Sequence, residues 1–343
     1  MKREFYIGVD VSKNWLDLAY YDGVVVDWKQ GHIRVDNKES GYSQIGRWLK
    51  KLGVDRESVL FCMEHTGLYS QDFRIWLEQV GYVYGMVQPR KMHRFEPDLG
   101  ENERALDRIK TDGTDSFRIA MYCEKHCRKI KASPSRLPGE SYFKLKRLIA
   151  ERKLYTNQSS VYKLQLHDIS AYDTEDSRER KKAGQDFLAR QLRQTDAEIR
   201  RIVESDPALS RNYGLLCSIK GTGLVVAVET IVLTENFTSI TNPRKYACYI
   251  GIAPARKESG VSVRGGEHVS RKGFTQAKAD LSMSALQGIR CDNGIRAYWE
   301  RKKAEGKHSG VILNAVKFKI VLRMFAVIRR QKPYVELNGF SQK

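Results

Sequence analysis

The sequence predicts a mixed α/β domain at the N-terminus, a long helical middle and a mostly helical C-terminal part. Three observations predict it. Strand-like and helix-like hydrophobic patterns alternate over the first part of the chain. Between Gly139 and about Pro207 glycine nearly vanishes and Lys, Arg, Glu and Gln take over. After Arg211 apolar helical periodicity returns and runs almost to the end.

The first three strands are expected at "FYIGVDV", "WLDLAYY" and "VVVDWK", joined by short polar turns such as "DG". "SGYSQIGRWLKKLG" reads as an amphipathic helix, with Ile45, Trp48, Leu49 and Leu52 at helical spacing and Gly53 to end it. "SVLFCME" reads as a buried strand, "QDFRIWLEQVG" as a helix stopped by Gly81, and "YVYGMV" as another strand. Three consecutive strands, then helix, strand, helix, strand, is the order of an RNase H-like fold. A plain doubly wound sheet would not open with two hairpins.

In the middle region Leu188, Leu192, Thr195, Ile199 and Ile202 step by four and three, and Leu145, Leu148, Tyr155, Tyr162, Leu166 and Ile169 keep a heptad-like rhythm. Two long helices are expected, with the charged stretch "DTEDSRERKKAG" between them. Such a pair fits both an intramolecular hairpin and self-association. Further on, "LLCSIKGTGLVVAVETIV" reads as helix, Gly-x-Gly turn, helix. A Gly-, Ser- and Arg-rich loop, "ARKESGVSVRGGEHVSRKG", follows, and helices near Gln276–Leu286, Gly294–Glu305 and Ser309–Arg330 close the chain. The expected domains are 1–130, 131–208 and 209–343.

The 343 residues allow two or three domains, and 41% hydrophobic residues allow sizeable cores. The formal charge of +19 exceeds what dispersal in water needs and points to a polyanionic partner. Frequent Tyr beside Lys and Arg suits stacking on unpaired bases. The apolar part of "MKREFYIGVD" is too short for a signal peptide, and no run approaches the ~18 uncharged residues of a membrane span. The six cysteines are scattered; only "CEKHC" clusters, without a second ligand pair, so free thiols in a reducing cytoplasm are expected.

The carboxylates carry the chemistry. Asp10 and Glu64 each end a hydrophobic strand, where a buried charge must be paired or bind metal, although Asp10 alone equally suits a cap of the next turn through "VDVSK". In an RNase H-like sheet these strands lie side by side. Asp112 and Asp115 are three apart and share a helix face with Ile119, which turns that face toward the sheet. Asp112 and Asp115 alone also suit a helix cap and capping box. Together the four acids suit divalent cations, about 4 Å apart where two are bound, because hard cations prefer oxygen. Mg²⁺ fits better than zinc, as no His/Cys cluster competes.

"YIGVDVSK", "MEHTGLY" and "IKTDGTDSFRIA" resemble the RuvC-like domain of the DEDD transposases of insertion-sequence family 110, which include the Piv/MooV invertases. "SIKGTG", "YIGIAPARKESGVSVRG" and "VSRKGF" resemble that family's C-terminal transposase domain, so the resemblance spans nearly the whole chain. It implies that Asp10, Glu64, Asp112 and Asp115 bind Mg²⁺, with Mn²⁺ as a substitute. It implies that Ser259, in a Ser-Gly pair after a G-x-x-P turn, attacks a DNA phosphate and forms a phosphoserine link. It further implies a non-coding bridge RNA that pairs with donor and target double-stranded DNA, dimers assembling to tetramers, and a cytoplasmic, nucleoid-associated bacterial protein. Two positions depart from the pattern: Ser116 stands where the family often has Ala, and Lys278 where it often has Arg.

A serine in a Gly-rich loop ordinarily makes a turn. Around Ser259, however, Arg256, Lys257, Arg264, His268, Arg271 and Lys272 suit a phosphoryl transition state, and Gly260, Gly265 and Gly266 let backbone approach a phosphate. Ser262 shares the loop and is the second candidate nucleophile. Gly221 and Gly223 suit a helix-hairpin-helix phosphate contact or an ordinary turn. Lys317, Lys319 and Arg323 on the terminal helix suit a nucleic-acid face or a solvated one. The competing functions are a metal-dependent RuvC-like nuclease without a serine intermediate, and a non-catalytic nucleic-acid-binding protein.

Overall fold

The computed structural model describes residues 4–24, 29, 31–65, 67, 69–95, 112–168, 172–255, 258–259, 263–264, 268–269 and 273–336. The chain divides into two compact units, 1–137 and 138–343.

The first unit is built on a five-stranded sheet of β1 (Phe5–Val11), β2 (Trp15–Tyr21), β3 (His32–Asp36), β4 (Val59–Glu64) and β5 (Val83–Val87), in the order β3-β2-β1-β4-β5. The first three strands are antiparallel, and β4 and β5 run parallel to β1. This order is compatible with the RNase H-like arrangement expected from the sequence.

The third described strand of the sheet lies just beyond the hydrophobic run expected to form it. "VVVDWK" covers residues 24–29, of which 25–28 lie outside the described residues, and the described third strand is "HIRVD". Only Val35 of that strand is fully buried, because β3 is an edge strand that presents His32 and Arg34 to a charge on β2. Hydrophobic patterning cannot single out such a strand.

Strand alternation splits the sheet into two faces. Ile7, Val9 and Val11 with Val59, Phe61 and Met63 pack under α1 (Glu39–Lys51) and α2 (Gln71–Val80). Gly81 ends α2 in a left-handed cap at φ 83°. Tyr6, Leu60 and Cys62 face the other way, toward Phe117, Ile119 and Met121 of α4 (Asp112–Lys125). Short helices α3 (Pro89–His93) and α5 (Cys127–Ala132) flank α4 in sequence.

Gly8 determines how close α4 comes. A Cβ there would meet the main-chain oxygen of Ser116 and the nitrogen of Ala120 far inside contact distance, so the helix backbone rests directly on β1. Ser116 is fully buried and its hydroxyl donates to the Gly113 carbonyl at 2.9 Å, so the alcohol fits where the related family often has Ala.

In the second unit, α6 (Glu140–His167) and α7 (Glu175–Ser205) pack along each other as a hairpin. The charged stretch expected between them is mostly helix. Thr174 caps α7 by accepting from the Ser177 amide at 3.2 Å, acids fill the first turn, and the Arg, Lys and Glu that follow are good helix formers. Leu145, Leu148, Ile199 and Val203 root the hairpin in a helical core, while Leu154, Val161, Leu164 and Phe187 are exposed further along it.

That core gathers α8 (Pro207–Cys217), the nearly all-buried α9 (Leu224–Thr234), α10 (Pro243–Tyr249), α11 (Thr275–Cys291), α12 (Asn293–Ala304) and α13 (Ser309–Arg330). Between α10 and α11 lie two short antiparallel pairs: β6 (Pro254–Ala255) with β9 (His268–Val269), and β7 (Glu258–Ser259) with β8 (Val263–Arg264). All six cysteines are unpaired. Among the described residues no helix is long and apolar enough to cross a membrane.

Candidate active site

The acids meet because of strand parity. Asp10 follows Tyr6 and Gly8 on the α4 face of β1, and Glu64 follows Leu60 and Cys62 on the same face of β4. The parallel register sets Val9 beside Met63, so the two acids end neighbouring strands at one edge of the sheet. The first turn of α4 passes over that edge because Gly8 lets the helix lie on β1. Asp10, Glu64 and Asp115 thereby line one cleft of about 440 Å³, with Arg118 and His93 on its rim and Pro89, Met92 and Ile119 as apolar walls.

The cleft is electrostatically loaded. Burial pushes the Asp10 carboxyl up to about 6, and the negative charges of Asp115, Asp112, Asp17 and Glu64 push the same way. Burial and Asp115 also raise Glu64, while Arg118 pulls it back. Among the described residues no three His, Cys, Asp or Glu side chains close into a ready-made metal-binding group. The donor set nevertheless fits a hard divalent cation: the facing groups are carboxylates, and positive charge is what would relieve their repulsion.

Asp112 stands apart. Its side chain is exposed and outside the cleft lining, held by the Arg34 guanidinium, whose Nη2 donates to Asp112 Oδ2 at 2.6 Å. It reaches the site through its charge on Asp10.

Three residues escaped the sequence reading. Asp17, 4% exposed, lies directly across from Asp10 in the β1–β2 register. Arg34 donates from Nε to both Asp17 oxygens at 3.0 and 3.1 Å, so one guanidinium ties Asp17 to Asp112. His32 Nε2 lies 2.8 Å from Asp17. Asp17 sits inside the alternating strand "WLDLAYY", where an acid reads as the solvent face, and only the register reveals its neighbour.

In the second unit the backbone of Ser259 lies in β7, paired with Val263. The side chains of Ser259, Arg264 and His268 lie outside the described residues, as do Arg256, Lys257, Ser262, Arg271 and Lys272 entirely. Gly221 adopts φ 90°, and a Cβ there would strike the Ser284 carbonyl and the Gly288 nitrogen of α11, so this glycine serves close packing of the turn. Gly223 is exposed, with open space around it, where α9 begins.

Residues 7–169 match a transposase family of the IS110 DEDD type, and residues 213–300 match the family described as Transposase IS116/IS110/IS902. The chain is 22% identical over 330 residues to the pilin gene-inverting protein of Moraxella lacunata, covering 96% of this chain and 97% of that protein. Its counterpart in Moraxella bovis matches equally. An uncharacterized 43.6 kDa protein of insertion element IS110 from Streptomyces coelicolor is 32% identical over 140 residues, which is 40% of this chain and 33% of that protein.

Proposed function

The chain belongs to the IS110 family of transposases and is a DNA transposase/recombinase enzyme, and from that premise we propose that it is an RNA-guided recombinase working through a phosphoserine intermediate. The observation that carries the metal-dependent half is the shared cleft of Asp10, Glu64 and Asp115 at the edge of an RNase H-like sheet. The sequence around Ser259 supports the other half.

In this reading Asp10, Glu64 and Asp115 would hold Mg²⁺ or Mn²⁺, with Asp112 as a marginal fourth acid outside the cleft lining. A divalent cation supplies Lewis-acid charge to a phosphodiester and lowers the pKa of an attacking hydroxyl. The Ser259 oxygen attacks phosphorus and gives up its proton; the P–O3′ bond breaks, and the departing 3′-oxygen takes up a proton. A 3′-hydroxyl of the partner strand then attacks the same phosphorus and releases the serine, so one phosphodiester replaces another with no outside energy. Arg256, Lys257, Arg264, His268, Arg271 and Lys272 neutralise the phosphoryl charge. A bridge RNA selects donor and target by base pairing, as in other guided systems, and the protein acts as a dimer that assembles to a tetramer.

The test is to trap the covalent adduct. The protein is purified with its RNA, that RNA is sequenced, and end-labelled donor duplex is incubated with Mg²⁺ and resolved under denaturing conditions. The reading expects a protein–DNA adduct in the wild type, none in Ser259→Ala, and a structured RNA with loops complementary to donor and target. An adduct of normal yield in Ser259→Ala rejects the serine. Cleavage without any adduct returns the enzyme to a water-using RuvC-like nuclease.

A further inference from the structure

Of the three cations that mark the terminal helix in sequence, two are engaged within the protein. Lys319 lies 4.2 Å from the centroid of the Tyr298 ring. Arg323 binds the fully buried Asp292 at 2.8 Å and covers Tyr334 at 4.6 Å. Lys317 differs. It is 7% exposed, and no described carboxylate, carbonyl or ring receives its ammonium. Burial lowers its pKa, and the Lys278 ammonium from α11, which packs against α13, lowers it further. The stem of Lys317 is enclosed while its ammonium still meets water, and beside a second lysine an anion would relieve the repulsion.

An aromatic surface lies one helical turn before Lys278. Tyr249, at the end of α10, and Phe274, just before α11, are 45% and 46% exposed, and their rings stack 6.2 Å apart at 25°. The Lys278 amide donates to the Phe274 carbonyl at 3.2 Å, and the Phe274 amide to the Tyr249 carbonyl at 3.4 Å, so one stretch of backbone ties both rings to the lysine. Gly273 and Gly251 cross with no room for a Cβ, which fixes the two ring-bearing segments together. Phe274 also closes the loop that contains β7.

We propose that Tyr249, Phe274, Lys278 and Lys317 form a nucleotide subsite, in which an unpaired DNA base stacks on the exposed ring pair and its phosphate is held by the two lysines. The chemistry matches part by part: an aromatic plane for a base, and for a phosphate a cation pair that no anion among the described residues meets. DNA is favoured over RNA because strand exchange unpairs bases beside the cut and the subsite borders the segment of Ser259. The inference rests on the DNA-recombinase reading. Because it is read by binding alone, its failure is separable from a failure of the serine or the acid cleft.

The experiment uses the full chain and short single-stranded probes of thymidine or uridine carrying one 5-iodopyrimidine. Photocrosslinks on the DNA probe are expected at Tyr249 or Phe274. Phe274→Ala should weaken DNA binding about tenfold. Lys317→Met should reduce the log–log salt slope on the DNA probe by roughly 0.7 while raising the melting temperature, since a partly buried charge leaves and a matching volume stays. A lysine needed only for structure would lower the melting temperature when replaced. An unchanged salt slope in Lys317→Met, crosslinks mapped elsewhere, or losses confined to the uridine probe would each overturn the assignment.

Discussion

Asp10 on β1 and Asp17 on β2 face each other directly across an antiparallel pair. Like charges in that position destabilise a sheet. The arrangement persists because Asp17 is held by Arg34 and His32, while burial first, and the neighbouring acids after it, raise the pKa of Asp10.

Arg34 is consequently expected to act as a positioning residue. Arg34→Ala should destabilise the first unit by about 1–3 kcal/mol, because it strips a buried carboxylate of its main donors. Arg34→Lys should restore little, since one ammonium cannot reproduce the fork from Nε to Asp17 and Nη2 to Asp112. Chemical denaturation of the three proteins measures this, and Lys behaving like Arg would show that charge alone suffices.

The acid cleft predicts opposed effects on stability and activity. Asp10→Asn and Asp115→Asn should lower DNA cleavage by at least about a hundredfold, yet raise the cation-free melting temperature, because each removes a charge from a repulsive cluster. Mg²⁺ should raise the melting temperature of the wild type and fail to raise that of either variant. Asp112→Asn, outside the cleft lining, should lose less cleavage than Asp115→Asn. Equal losses would place Asp112 in the same role.

Gly8→Ala should behave like a lesion in the cleft although no charge changes. The added methyl would collide with the α4 backbone at Ser116 and Ala120, so the helix must lift, at a cost of about 3 kcal/mol. Cleavage should fall with it, and circular dichroism should show a lower melting point. A variant that melts normally would mean that α4 can shift freely.

The second unit should lose stability as pH rises. Glu229 is 4% exposed, and burial raises its carboxyl to about 8, with Asp280 adding to the effect and Lys153 opposing it. Asp280 in turn accepts from Gln276 Nε2. Between the ordinary carboxyl value of 4.5 and about 8 the folded chain holds a proton that the unfolded chain has released, so stability falls with rising pH across that window. Glu229→Gln should match the wild type near pH 4.5 and exceed it above pH 8, by a difference on the order of a few kcal/mol. Melting curves from pH 5 to about 9 test this; parallel curves for both proteins would dismiss a protonated Glu229.

Much of this was legible in the sequence for physical reasons. Strands with apolar runs, such as "SVLFCME", and helices with Gly stops, such as the one ended by Gly81, are local patterns, and they lie where expected. The acids Asp10 and Glu64 stood out because charge at the end of a buried strand is costly. What was not legible depends on pairing across the chain. The edge strand His32–Asp36 has too little apolar content to announce itself, so Arg34 and its hold on Asp17 stayed hidden. Lys317 read as one more charge on a helix until the packing of α11 against α13 showed most of its side chain covered.

The contact between Gly8 and α4 joins main chain to main chain, with no side chain as a spacer. The distance from strand to helix, and so from Asp10 to Asp115, is then gauged by atoms that every residue shares. Apolar residues elsewhere in the sheet can exchange size and shape without resetting that gauge. A ruler of this kind tolerates wide sequence drift around it and almost none at the single position where it is read.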